Sequence, residues 1–252
     1  MLERFDFDTY GRLLDALKAG RPNLTFREFQ SGHSPDRYFI LRHDVDISPA
    51  AALRMAEWEA ARGFRATYFV LLTSDWYNLL DRRHVGFPRR LVELGHEVGL
   101  HYDAAIFQGE RSLRLQADLL GLLSGEPVHS IARHNPSAEG ADPFLSAKDF
   151  VNAYDEAFTR RAVYVSDSAG AWRDEAVRIL SSSTLPDRIQ VLTHPLYWDV
   201  RHADRLERLR ALVEERARGD QAAEEVLAAL WARHPGALQA AARNQEGRSG
   251  PG

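Results

Sequence analysis

The chain has 252 residues, 44% of them hydrophobic and 27% charged, which suits one large domain or two small ones and excludes wholesale disorder. Asp and Glu outnumber Lys and Arg by 36 to 32, so no global basic field would draw it to nucleic acid or an anionic membrane. Cysteine is absent, which removes disulfides, thiolate metal sites and Cys nucleophiles together and leaves only His, Asp or Glu to hold a transition metal.

Met1 to Asp8 shows no basic region leading into an apolar one, and no run approaches the ~20 apolar residues of a membrane span, so a cytoplasmic chain is expected. Thr9 to Lys18 reads as a helix with Asp8 as its cap, and Leu24 and Phe26 as a weak strand. Tyr38 to Leu41 is a stronger strand that runs into Arg42-His43-Asp44-Val45-Asp46. Ser48 then caps a helix with Pro49 at its first position and Gly63 beyond its end. Ala66 to Leu72 is a buried strand, Pro88 to Leu94 a helix, Glu97 to His101 a strand and Ser112 to Leu123 an apolar helix closed by Gly125. Strands over 128–132, 162–166 and 189–193 follow, with a helix over 147–158 among them.

Helices over 204–218 and 221–233 complete the pattern; Leu206, Leu209, Leu212 and Val213 share one face, as do Val226, Leu227 and Leu230. The alternation predicts an α/β fold, a distorted (β/α) barrel of about six or seven parallel strands with C-terminal helices. A single domain over 1–242 is expected, including helices 203–233, with a disordered tail at 243–252.

In such folds chemistry gathers at the C-terminal ends of the strands, and six polar residues fall there: Asp44, Asp46, His101, His134, Asp167 and His194. Asp44 and Asp46 stand at i and i+2 on one strand face, a spacing that lets one carboxylate serve a metal and the other act as a base. His96 and His101 are five apart across Gly99 in a strand-like context, so they face apart and do not form a helical zinc-protease pair. His101 remains; His96, like His33, His84, His129, His202 and His234, reads as structural or exposed.

Asp44-Val45-Asp46, Gly95-His96-Glu97 with His101, Arg133 to Pro136, Asp167 and Leu192-Thr193-His194 resemble, in this order, the motifs of the polysaccharide deacetylase-like (NodB-homology, carbohydrate esterase family 4) superfamily. The resemblance runs from about Tyr38 to Trp198. It implies a metal-dependent hydrolase that removes an acyl group from a sugar or small amide, on a small-molecule or carrier-linked glycan substrate. It implies Asp44 as base and His194 as catalytic acid, and it puts Asp46 and His101 on a divalent metal, Zn²⁺ in the first place. Arg133, Asp167 and Trp198 are then substrate-binding or orienting residues: Asp167 placed to orient His194 or hold Arg133, Trp198 to wall a sugar ring.

Two departures qualify the likeness. The family's further metal histidine would stand at position 105, which is Ala105; His134 is the expected replacement, with His194 as the alternative third ligand. Arg42-His43 also stands where the family more often has Thr-Phe. The rival readings are a metal-free amidohydrolase on the same fold and a non-catalytic carbohydrate-binding relative.

Overall fold

The computed structural model describes residues 5–32, 35–106, 109–135, 149–172 and 184–198, with isolated positions at 142, 144, 179, 181–182, 208, 210–211 and 213–214. The chain divides into two compact units, Met1–Arg205 and Leu206–Gly252. In the second unit the described positions are helical, and the rest of both expected C-terminal helices and of the tail lies outside the described residues.

The first unit is built on β1 (Asn23–Leu24), β2 (Tyr38–Val45), β3 (Thr67–Leu71), β4 (Glu97–Tyr102), β5 (Ser130–Arg133), β6 (Val151–Asn152), β7 (Val163–Ser166) and β8 (Arg188–Thr193). Seven of them run in the order β6-β5-β4-β3-β2-β8-β7, every pairing parallel. The short β1 takes Phe39 and Ile40 of β2, leaving Arg42 to Val45 for β3. The sheet curls into a half-barrel, the distorted (β/α) barrel expected. Among the described residues β6 and β7 do not pair with each other, so the barrel is open at that seam.

Helices α1 (Phe7–Lys18), α3 (Pro49–Ala60), α4 (Phe87–Glu93) and α5 (Glu110–Ser124) bury their apolar stripes on the convex face. Leu13, Leu14 and Leu17 of α1, Met55 of α3, Leu91 of α4 and Leu120 of α5 meet Phe39, Leu41, Val70, Leu100 and Val191 there. The concave face carries a smaller cluster of Ile40, Phe69 and Ala132, closed by Phe26 of α2 (Phe26–Gln30) and Phe158 of α6 (Glu156–Thr159). Alternate residues of a strand face opposite ways, so even-numbered β2 positions look into the barrel and odd-numbered ones look toward the helices.

Register stacks the concave side chains in layers. Asp44 lies beside Phe69 and Phe69 beside Gly99; one step on, Leu71 lies beside His101 and His101 beside Ala132. Gly99 is required by that packing, because a Cβ there would stand 2.5 Å from the Phe69 ring and 2.7 Å from Ser130 Oγ.

Several local expectations shift. Asp6, not Asp8, caps α1, since its side chain accepts from the Thr9 amide at 2.7 Å three residues on; Asp8 falls in the first turn, where its charge suits the helix dipole. Phe26 opens a helix rather than extending a strand, because Thr25 and Glu28 form a reciprocal capping box. The helix expected over 147–158 is not formed: Val151 and Asn152 pair with Ser130 and Ile131 as a strand, and Asp155 caps the short α6. Ser48 and Pro49 begin α3 as read.

Candidate active site

The mouth of the half-barrel is assembled from strand ends. Asp46 follows β2, His101 lies on β4, and His134 follows β5; one ligand atom from each lies within 4.8 Å of the other two. His101 Nδ1 donates to the Ala132 carbonyl at 2.8 Å, which turns Nε2 toward Asp46 Oδ1 at 3.3 Å and Asp44 Oδ2 at 3.5 Å. The His101 and His134 rings stand edge to face at 5.3 Å. The His134 amide donates to the Tyr102 carbonyl at 2.8 Å, and Asn135 turns the chain at a φ of 46°, in the left-handed region that Asn tolerates better than most residues.

Asp46 Oδ1 is buried with no donor meeting it in hydrogen-bond geometry. With its other nitrogen donating to a carbonyl, neutral His101 offers a lone pair to the same space, the arrangement typical of a metal-ligating histidine. Two acceptors facing each other require positive charge between them. A proton on His101 Nε2 serves one such pair; a divalent cation serves all three residues, so the donor set fits a metal. Burial works against charge on His101, but Asp44 and then Asp46 outweigh it and raise its pKa. Burial likewise opposes ionisation of Asp46, yet His101, His194 and His134 hold its carboxyl well below the usual range.

Asp44, 4% exposed, is gripped by Arg42 two residues before it on the same face of β2. Arg42 Nε and Nη2 each donate to one carboxylate oxygen at 2.8 Å, a charge-assisted fork that fixes the plane of the carboxylate. The Arg42 guanidinium lies 4.4 Å from the Tyr154 ring centre and 5.3 Å from that of Phe69, and Nη2 also donates to the Tyr154 hydroxyl at 2.9 Å. Burial raises the Asp44 pKa, but Arg42 leads the charges that bring it below the ordinary value.

On the other side, His194 follows β8 and Asp167 follows β7. His194 Nδ1 bonds Asp167 Oδ1 at 2.7 Å, and Nε2 faces Asp46 Oδ2 at 3.7 Å. Asp167 is fully buried, and it also accepts from the His194 amide and from Trp198 Nε1, the latter at 2.8 Å. Burial disfavours the imidazolium, but Asp167, then Asp46 and Asp44, raise the His194 pKa to about 9. Asp44, Asp46, Ile47, His194, Leu196 and Tyr197 line a small pocket over this group.

Asp44, Asp46, His101, His134, Asp167 and His194 thus share one mouth. Arg133 does not join them. It is an odd-numbered partner in register with Tyr102, whose ring lies in the convex core, so it faces away from Asp44. Of the two roles open to Asp167, orienting His194 is the one the geometry shows. Trp198 cannot wall a ligand, because it is completely buried against Phe5, Tyr10 and Trp172; its indole N–H steadies Asp167 instead. Ala105 is exposed, and its amide donates to Asp103 at 2.9 Å. Arg42 went unassigned in the sequence, although the i, i+2 parity that joins Asp44 to Asp46 extends equally to Arg42.

No family model matches the chain, and no curated protein matches it. Among the solved structures that resemble it are carbohydrate esterase family 4 proteins. The Xyl-CE4 domain of a multidomain xylanase from the hindgut metagenome of Trinervitermes trinervoides is 13% identical, with a TM-score of 0.44 over 73% of this chain and 85% of that one. A family 4 acetyl xylan esterase from Clostridium thermocellum, in complex with a cobalt ion, is 16% identical, with a TM-score of 0.42 over 72% and 84%. BA3943, a family pseudoenzyme from Bacillus anthracis, is 14% identical, with a TM-score of 0.42 over 71% and 62%. At such identities and scores the functional reading rests on this chain's own residues.

Proposed function

We propose that the chain is a metal-dependent hydrolase that removes an acyl group from a sugar or a small amide. The observation that carries the reading is the grouping of Asp46, His101 and His134 beside Asp44 and the His194–Asp167 pair at one barrel mouth. Three protein ligands of this kind suit Zn²⁺ with an open position. When bound, such an ion supplies Lewis acidity that polarises an acyl carbonyl and makes a water more acidic.

Asp44, its carboxylate plane fixed by Arg42, takes the proton from the attacking water. Asp167 holds His194 through Nδ1, which favours the protonated ring and points Nε2 at the pocket. His194 then protonates the departing nitrogen or oxygen. Ile47, Leu196 and Tyr197 give the acyl group a partly apolar wall.

A second reading draws on the raised pKa of His101. A proton on Nε2 would satisfy the facing carboxylates without a metal, which suits a metal-free amidohydrolase or a binding relative. Elemental analysis of the full chain, chelated and then reloaded with Zn²⁺, separates the readings: about one ion per chain is expected. His134→Ala should lose metal and activity together, whereas His194→Ala should keep metal and lose turnover. A chain that takes up no metal under any loading, or a His134→Ala variant with full occupancy, overturns the assignment.

A further inference from the structure

Inside the half-barrel one side chain reaches across from the far edge of the sheet. Tyr154 stands two residues past β6, and in the order β6-β5-β4-β3-β2 four strand steps separate β6 from the strand of Arg42. Along a flat sheet those steps would span ~19 Å. The curl brings the Tyr154 hydroxyl to 2.9 Å from Arg42 Nη2 and its ring centre to 4.4 Å from the guanidinium. The Tyr154 backbone is pinned on both sides: its amide donates to Asn152 Oδ1 at 2.9 Å, and its carbonyl accepts from Thr159 Oγ1 at 3.3 Å. The side chain packs against the concave cluster of Ile40, Phe69 and Ala132. The same segment carries a second tie, because Gln190 Nε2 of β8 donates to the carbonyls of Ala153 at 3.3 Å and Phe158 at 3.2 Å.

The fork between Arg42 and Asp44 does not orient itself. Its two bonds fix the groups relative to each other, but both side chains rise from one strand two residues apart, so the pair can swing as a unit. Among the described residues, the hydrogen bond to Tyr154 is the one that Arg42 makes outside the pair, and Nη1 meets no acceptor. Arg42 is completely buried, so solvent does not steady it either. Burial pushes the Tyr154 hydroxyl up, which keeps it neutral, so it aligns the guanidinium without competing with Asp44 for its charge. Tyr154 is not among the residues that line the pocket over Asp44 and His194.

We propose that Tyr154 is a positioning residue for the hydrolysis: it holds the Arg42 guanidinium from across the barrel and, through it, the plane of the Asp44 carboxylate. The inference rests on the reading of Asp44 as the base and deepens it. A base takes a proton efficiently only within hydrogen-bond reach and in line with its lone pair, and a misplacement of ~1 Å can cost ~10²-fold in rate. A swing of the Arg42–Asp44 pair is the motion that produces such a misplacement, and the bond and ring of Tyr154 stand against it. Because Tyr154 lies outside the pocket lining, it acts on kcat and leaves KM alone.

The test is steady-state hydrolysis of nitrophenyl acetate and of an N-acetylglucosamine tetrasaccharide by the zinc-loaded full chain, with kcat and KM resolved. Tyr154→Leu, which removes both the bond and the ring, should lower kcat about 10²-fold, with KM within about twofold and zinc content unchanged. Tyr154→Phe keeps the ring over the guanidinium and should recover kcat to within about tenfold of wild type. Gln190→Met cuts the other tie of the same segment and gives the purely structural effect: a lower melting temperature, with kcat per folded molecule within about twofold. In an Arg42→Lys background, where the fork is gone, Tyr154→Phe should cost nothing further. A readout without substrate is solvent exchange of the Arg42 Nε–H, followed by heteronuclear NMR and assigned with Arg42→Lys; it should be at least about tenfold faster in Tyr154→Leu. Normal turnover in both Tyr154 variants, a KM that rises as kcat falls, or a Gln190→Met loss equal to that of Tyr154→Phe refutes the positioning role. A wild type that hydrolyses neither probe removes the hydrolase reading, and the hold on Arg42 then stands or falls with the exchange rate alone.

Discussion

Asp44, on the concave face of β2, and Glu59, on α3 against the convex face of that strand, are two buried carboxylates, and the contrast between them separates function from structure. Asp44 points into the barrel, whereas Glu59 of α3 is met from the convex face of β2 by His43. Glu59 is saturated: Tyr10 and Tyr68 donate their hydroxyls, and His43 Nε2 lies 2.9 Å away. His43 Nδ1 meets Thr193 Oγ1 at 2.7 Å, so the cluster ties α1, α3, β2, β3 and β8 together. Asp44 also has a strong partner, in Arg42, yet beside it lie His101 Nε2, an unmet oxygen of Asp46 and the pocket. Similar residue types thus give a closed cluster on one face and spare bonding capacity on the other. Spare capacity at a strand end is where a ligand is met.

Neutralising each carboxylate while keeping its shape breaks the comparison most sharply. Asp44→Asn should lower kcat roughly 10³-fold, the scale of a lost general base, whereas Glu59→Gln should leave kcat per folded molecule within about threefold. Asp44→Asn strands the buried Arg42 guanidinium and should cost about 3 kcal/mol, a fall of roughly 6–12 °C in melting temperature for a chain of this size. Glu59→Gln weakens a buried acceptor shared by Tyr10, Tyr68 and His43 and should cost about 1–3 kcal/mol. Steady-state hydrolysis normalised to the folded fraction, with a thermal melt of each variant, checks this. A Glu59→Gln enzyme that melts normally but turns over a hundredfold more slowly would move Glu59 into the chemistry.

The two faces should also fail at opposite ends of the pH scale. The Glu59 pKa is lowered, with burial opposing and His43 leading the groups that outweigh it. Its contribution is therefore present above the unfolded carboxyl value and lost as pH falls through the folded one. The His194 pKa is raised from 6.5 to about 9, so its contribution is full below the unfolded value and lost as pH rises through about 9. At 1.36 kcal/mol per unit this is at most about 3 kcal/mol in the metal-free protein. Denaturant titrations of the chelated chain should show a basic decline that His194→Gln removes and Glu59→Gln keeps. An unchanged basic limb in His194→Gln would contradict the Asp167 pairing.

Much of this contrast was readable in the residues, because one simple geometric fact carried it. Strand ends take ligands, so Asp44, Asp46, His101, His134, Asp167 and His194 could be gathered from the βα alternation and the motif order. What escaped needed side-chain direction or depth rather than position in the chain. Arg133 and Trp198 sit in the expected segments, but parity turns Arg133 to the convex face, and burial under Phe5 and Tyr10 closes Trp198 off. Arg42 obeyed the same parity as the acids and could have been found with it. The β6 strand could not be found from periodicity, since two residues carry no period; its existence depends on the open edge of β5.

The smallest effect expected concerns Ala105, and it bears on which histidine completes the proposed metal set. Ala105 is exposed and its amide is held by Asp103, while His134 Nδ1 lies 3.9 Å from Asp103 Oδ2. A histidine placed at 105 would therefore enter the same corner as His134. If His134 already supplies the third ligand, Ala105→His adds a donor to a complete set, and Zn²⁺ affinity should change by no more than about threefold, with stability within the ±0.5 kcal/mol usual for exposed positions. In a His134→Ala background the set has only Asp46 and His101, and the same substitution should recover at least tenfold of the lost affinity. Competition with a chromogenic chelator measures all four chains of this cycle. Equal gains in both backgrounds would mean that His134 and position 105 act independently, and His134 would then have no place among the ligands.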